Sequence, residues 1–277
     1  MADLQCVHAR LLEWYAANAR DLPWRKTRDP YAILVAEVML QQTQVERVIP
    51  RWHEWLARFP TLADLATASR ADAIRAWRGL GYNLRAVRLH EIARQAVADY
   101  GGELPREVGE LLRLKGVGHY TAGAVACFAY GQPVIAVDTN VRRVLGRVFG
   151  WEPRSVDRLA SGALPVENAY AWNQALMDLG ATLCRARRPL CLVCPLAAEC
   201  GGPRSVSLAK PSQGRFNDSR RFYRGRIVQL LRDLPPGDTV PLTDLARAVG
   251  SSRELIEELA TDGLVCLDAA GRVGLAD

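Results

Sequence analysis

The chain has 277 residues, 49 % of them hydrophobic and 24 % charged, with a formal net charge of +6 and a pI near 9.1. That length suits two or three domains, and no apolar run nears the ~20 residues of a membrane span. With no signal-peptide pattern at the start, the expectation is a soluble, intracellular, cytoplasmic protein.

The charge is uneven. Residues 227–277 hold nine acidic groups against four arginines, a net of −5, which leaves +11 on the body of the chain. A basic body favours a polyanion such as DNA through counterion release, and the acidic tail does not.

In chain order, residues 4–18 repeat apolar positions at helical spacing, with Val7, Leu11, Leu12 and Tyr15 on one face, until Leu22-Pro23 ends the run. Trp24 and Arg25 follow. Tyr31 to Val45 reads as one strong helix whose apolar run is broken by Glu37. Acidic residues are almost never buried without a partner or a task. Among Leu34, Ala36 and Val38 this carboxyl would have its pKa raised by desolvation, as a general acid near neutral pH requires. The alternative is a Glu37 on an exposed stripe. Gln41, Gln42 and Thr43 continue that helix as a polar cluster. From Arg51 to Gly101 the pattern is helical, punctuated by Pro60-Thr61 and by Gly79-Leu80-Gly81-Tyr82-Asn83, with Thr61 and Ser69 as N-cap candidates. Arg85 and Arg88 are candidate phosphate contacts.

In Leu114 to Ala124, Gly116 and Gly118 flank Val117 and read as a tight turn opening a helix. Backbone N–H groups at such a turn, with the helix dipole, form a phosphate site that reads no sequence. A plain turn between packed helices is the alternative. A helix of small and apolar residues is expected over 122–134, in which Cys127 is a small hydrophobe. Asp138 then precedes an arginine-bearing helix as a candidate N-cap.

Cys184, Cys191, Cys194 and Cys200 form C-x6-C-x2-C-x5-C. Four clustered cysteines in an intracellular chain point to metal, and a single C-x-x-C knuckle without a nearby histidine is unlike most zinc sites. The uneven spacing suits a [4Fe–4S] cluster. Residues 201–214 read as a linker. The run from Arg220 to Arg226 is a candidate nucleic-acid contact. Beyond it the order is helix, short strand at 239–242, helices at 243–249 and 252–261, and a hairpin at 264–275. This is a winged-helix pattern whose would-be recognition helix carries Glu254, Glu257 and Glu258.

The hairpin motif, Val137 to Val144, Glu37 to Val45, Gly79 to Tyr82 and the cysteine set together resemble the helix-hairpin-helix DNA glycosylases, specifically the MutY-type adenine-DNA glycosylases. The resemblance covers about residues 22–200. It implies a mostly α fold with a six-helix domain over 22–133 and a [4Fe–4S] cluster domain from 1–21 and 134–205. A basic linker over 206–226 and a small winged-helix-like α+β tail over 227–277 complete the expected organisation.

The resemblance also assigns roles on double-stranded DNA. Glu37 is the general acid, Asp138 the ionised carboxylate facing the sugar, and Tyr120 and Asn140 the groups that orient them. Gln42 is a wedge between bases, beside Gln41 and Thr43, and Tyr82 intercalates. Gly116, Gly118 and His119 form the phosphate-binding hairpin, and Trp24 and Arg25 lie near the extruded base. Relatives that also cleave the strand carry a lysine at the position of Tyr120, so a monofunctional, monomeric hydrolase is implied. Two departures stand out. Asn83 replaces a second aromatic, and the acidic tail stands where the family has a larger Nudix-like domain that reads 8-oxoguanine. A sister glycosylase releasing hypoxanthine, uracil or thymine and a non-catalytic DNA-binding iron–sulfur protein stay open as alternatives.

Overall fold

The computed structural model describes residues 3–202 and 215–277. Of the linker expected over 201–214, residues 203–214 lie outside the described part. In chain order the helices are α1 (Leu4–Asn18), α2 (Pro30–Leu40), α3 (Val45–Arg58), α4 (Leu62–Thr67), α5 (Arg70–Ala76), α6 (Leu84–Tyr100) and α7 (Val108–Leu111). They continue as α8 (His119–Phe128), α9 (Thr139–Phe149), α10 (Pro153–Leu159), α11 (Ala169–Thr182), α12 (Arg220–Arg232), α13 (Leu242–Val249) and α14 (Arg253–Thr261). Three short strands, β1 (Val240–Pro241), β2 (Val265–Leu267) and β3 (Arg272–Leu275), form an antiparallel sheet in the order β1-β3-β2. The protein is mostly α with a small C-terminal sheet, as its pattern predicts. No helix among the described residues is long and apolar enough to cross a membrane.

The described residues form two compact units. The first comprises 3–34, 106–113 and 117–202. There α11 is apolar nearly all round and packs against α1 and α9. Asp3 caps α1 by accepting from the Gln5 N–H at 2.9 Å, and Val7 and Leu11 are buried on its inner face. Asn173, fully buried on α11, accepts from the Ala136 N–H at 2.8 Å and donates to the carbonyl oxygen of Val134 at 2.9 Å. Those bonds satisfy backbone groups of the non-helical segment around buried Ala136 that leads to Asp138.

The second unit comprises 35–105, 114–116 and 215–277. Thr61 closes a capping box with Asp64 on α4, and Ser69 caps α5, as their sequence positions predict. Trp55 and Trp77 meet edge to face at 5.3 Å between α3 and the end of α5. The C-terminal elements do not build a core alone. Ile227, Leu231, Leu245, Ile256 and Leu259 share one apolar cluster with Ile74 of α5 and Val87 of α6.

Two helices end earlier than the pattern suggests. The helix expected over 31–45 stops at Leu40, because Gln42 is left-handed (φ 58) and the guanidinium of Arg85 takes the last carbonyl groups. The helix expected over 122–134 is α8, which ends at Phe128 before a left-handed Gly131.

Candidate functional site

In the second unit, Glu37 lies on α2 and is 5 % exposed, which removes the exposed-stripe alternative. The end of α2 and the turn before α6 are joined by Arg85. Its Nη1 donates to the carbonyl oxygens of Val38, Met39 and Gln41 at 2.9, 2.8 and 2.6 Å. Its Nη2 donates to Thr43 Oγ1, to the Leu80 oxygen and to the Gly81 oxygen at 3.0, 3.0 and 3.2 Å. The guanidinium also lies over the rings of Trp77 and Tyr82. Burial pulls its pKa down to about 10, which leaves it charged at neutral pH. Both residues this clasp flanks, Gln42 and Tyr82 (φ 45), are left-handed and exposed. Left-handed backbone in a residue with a side chain costs about 1–2 kcal/mol and gathers at functional sites.

The hairpin turn carries Gly116 at φ 93, where an added Cβ would stand 3.2 Å from Cδ of Arg88. The left-handed backbone favours glycine there, and a side chain would also have to displace Arg88 slightly. Gly118, the N-cap of α8, is different: its backbone is extended and an added Cβ would meet nothing within 4 Å. Exposed His119 opens α8, and Tyr120 follows, half-buried.

In the first unit, Asp138 caps α9. Its Oδ1 accepts from the Val141 N–H at 2.6 Å and its Oδ2 from Asn140 Nδ2 at 2.9 Å. Asn140 accepts in turn from Arg143 Nη2 at 2.7 Å, and Arg143 donates to the carbonyl oxygens of Gly180 and Cys184 at 2.6 and 2.7 Å. One chain of hydrogen bonds thus runs from the carboxyl to the first cysteine of the motif. Burial pushes the Asp138 carboxyl above the usual carboxylate range, against the pull of Val141, Asn140 and Arg143. Desolvation here outweighs the hydrogen bonds.

All four cysteines of the motif line one cavity, walled by Leu183, Pro189, Leu190 and Ala197. Arg147 lies beside them and donates to Cys184 Sγ at 3.3 Å. Four thiols around one largely apolar cavity are a donor set of the kind that holds an iron–sulfur cluster.

Residues 35–164 match the HhH-GPD superfamily base excision DNA repair proteins. Over 96 % of this chain and 94 % of the relative, the sequence is 42 % identical to an adenine DNA glycosylase of Mycolicibacterium smegmatis. The chain belongs to the HhH-GPD superfamily of base excision DNA repair proteins. Among solved structures it is similar to a thermostable thymine-DNA glycosylase, with a TM-score of 0.69 and 32 % identity over 72 % of this chain and 96 % of that one. An endonuclease III trapped as a covalent intermediate with DNA matches with a TM-score of 0.63 and 27 % identity, over 74 % of this chain and 98 % of that one.

Within this superfamily chain, some residues expected at the DNA face are engaged elsewhere. Arg25 is held in an ion pair: its Nη1 and Nη2 pair with Asp178 at 2.8 and 2.7 Å, and Trp24 beside it is 6 % exposed. Arg85 meets carbonyl groups rather than phosphates, since the unsatisfied end of α2 is the stronger claim on a buried guanidinium. Of the basic run opening α12, Arg220 pairs with Glu258, and Arg224 with Glu258 and Asp262. Arg185, Arg187 and Arg188, between the first two cysteines, are exposed.

The sequence reading missed Asp178. This carboxyl is fully buried on α11 and holds Arg25 and also Arg20, whose Nε lies 2.6 Å away. The signal that singled out Glu37, an acid inside an apolar helical run, marks Asp178 equally, and there it serves packing.

Proposed function

We propose that the chain is a base-excision DNA glycosylase that hydrolyses the N-glycosidic bond of adenine mispaired with guanine or 8-oxoguanine, without cleaving the strand. The near full-length likeness to an adenine DNA glycosylase supports the class of reaction. The observation carrying the mechanism is Glu37, a carboxyl built into a buried helix of this chain.

The adenosine must leave the duplex to be reached, at a cost of a few kcal/mol that a mispair lowers. Gln42 and Tyr82 fill the gap, and the N–H groups at Gly118 and His119 receive a phosphate. Glu37 then gives its proton to the purine N7 and makes the base a leaving group. Asp138, ionised, stabilises the oxocarbenium-like sugar, and Glu37 next activates water. Tyr120 and Asn140 orient these groups. Strand-cleaving relatives carry a lysine at the position where this chain has Tyr120, so no amine is placed to attack the sugar. Cys184, Cys191, Cys194 and Cys200 would hold a [4Fe–4S] cluster, which would hold the 184–200 loop and its exposed arginines in place. The protein acts as a monomer on double-stranded DNA inside the cell.

The likeness to a thymine-DNA glycosylase favours a second reading, release of thymine by the same fold. Single-turnover assays on duplexes carrying each mispair decide. Adenine release that vanishes in Glu37→Gln and in Asp138→Asn, with duplex binding kept, is the expected result. No adduct should be trapped by borohydride, and strand breaks should need alkali. Thymine release without adenine release would hand the protein to the second reading.

A further inference from the structure

Two departures from the MutY-type pattern, Asn83 and the acidic tail, meet at one hydrogen bond. Arg232, the last residue of α12, donates from Nη2 to Oδ1 of Asn83 at 3.0 Å. Asn83 stands at the N-cap of α6, yet its side chain caps nothing there. Its oxygen is given to the tail instead. Burial and the neighbouring Arg78 lower Arg232 to about 10, so the donor is charged at neutral pH and the bond is charge-assisted.

More contacts lie along the same side. Arg75 Nη2 reaches the carbonyl oxygens of Leu234 and Pro235, both at 3.3 Å, and Arg78 pairs with Asp233. Beneath them Ile74 and Val87, at most 3 % exposed, are buried in the core of the tail.

The residue next to Asn83 is Tyr82, 44 % exposed and left-handed. Gly79 and Gly81 before it are left-handed too, so this turn has ample freedom to relax unless it is held. From inside, Arg85 holds the carbonyl groups of Leu80 and Gly81. The other side is held by the tail.

We propose that the C-terminal tail is a positioning element of the glycosylase: Arg232, through Asn83, fixes the turn that presents Tyr82 to the duplex. This rests on reading Tyr82 as the residue that enters the duplex. It gives the tail a part in base extrusion that does not depend on reading the opposite base.

The test uses the full chain and three variants, Asn83→Ala, Arg232→Gln and Tyr82→Ala, on a duplex with one adenine–guanine mispair and 2-aminopurine beside the target. Duplex affinity, single-turnover rate and 2-aminopurine fluorescence, which reports unstacking, are measured together with thermal midpoints. Loss of a hydrogen bond to a charged group should lower the product of affinity and rate about tenfold or more. Asn83→Ala and Arg232→Gln are expected to do so with a weakened unstacking signal and little change in melting. Neither should worsen Tyr82→Ala when combined with it.

If Tyr82→Ala is defective and the other two match the wild type, the tail has no such role while the reading of Tyr82 stands. A Tyr82→Ala protein indistinguishable from wild type overturns both. Effects of Asn83→Ala and Tyr82→Ala that multiply would also overturn the proposal, because Asn83 would then act by another route. Should Arg232→Gln fail to fold, Asn83→Ala removes only the acceptor and carries the test.

Discussion

Asp138 has to serve as a helix cap and as a charge at once, and its surroundings set the two against each other. As a cap it is held by Val141 and Asn140; as a charge it is desolvated and its pKa lies above the ordinary 3.8. Only the ionised form stabilises a cationic sugar, so base release should fall as pH drops through that raised pKa, giving an acid limb above that of an ordinary aspartate. Arg143 favours the ionised form. Arg143→Gln should therefore move the acid limb upward and slow release at neutral pH, which single-turnover pH–rate profiles would check. An unmoved limb would mean another group titrates. Gly180 of α11 protects the same network, since an added Cβ would come 2.5 Å from Cβ of Asn140. Gly180→Ala should push Asn140 off its partners and reduce the rate at least tenfold, beyond the few tenths to 1 kcal/mol that an open Gly→Ala change alters stability. Asp138 and Glu37 were legible because each is a polar residue in an apolar run. Gly180 was not, because its neighbour comes from a helix some forty positions away.

At the scale of elements, local chemistry was legible and long-range chemistry was not. The caps at Thr61, Ser69 and Asp138 need only a side-chain oxygen two or three residues ahead of a donor, and all three form. Where α2 ends depended on Arg85, more than forty residues on, and periodicity cannot contain that. The same limit hid the joint between the end of α1 and α11. There, burial would raise Asp178, yet Arg25 and Arg20 hold its carboxyl below the ordinary 3.8. The unfolded chain therefore binds this proton more readily than the folded one. Stability rises with pH through that window, is complete above about pH 4, and is lost as pH falls through the depressed value. Breaking a buried pair costs about 3–5 kcal/mol. Asp178→Asn should lose about that much at pH 7 and less below pH 3.5, measured by urea unfolding at both pH values. An equal loss at both would assign the effect to packing and not to charge.

Over the whole molecule, the order of the tail's elements was legible, since β1, α13, α14 and the β2–β3 hairpin follow one another as the pattern suggests. What composition could not reveal is that these elements complete the core of another part of the chain. A net charge of −5 over residues 227–277 suggested a body held away from DNA, but Arg220 and Arg224, just before that segment, pair with Glu258 and Asp262 and offset part of it. The apolar face of α12–α14 covers Ile74 and Val87. Removing residues 227–277 would uncover both, at about 1.5–3 kcal/mol for each large aliphatic side chain, besides the pairs made by Arg75, Arg78 and Asn83. Against a total stability of about 5–15 kcal/mol that loss is severe. The truncated chain should accordingly melt many degrees lower or aggregate, and its weak activity would say nothing about the opposite base. Preference between guanine and 8-oxoguanine is better read from the intact chain. Because Arg220 and Arg224 of α12 are paired with Glu258 and Asp262, they are not offered to an oxidised base, and single-turnover rates on the two duplexes should differ little. A truncated chain with an unchanged melt, or an intact chain with a strong 8-oxoguanine preference abolished by Arg220→Ala and Arg224→Ala together, would assign lesion reading to the tail itself.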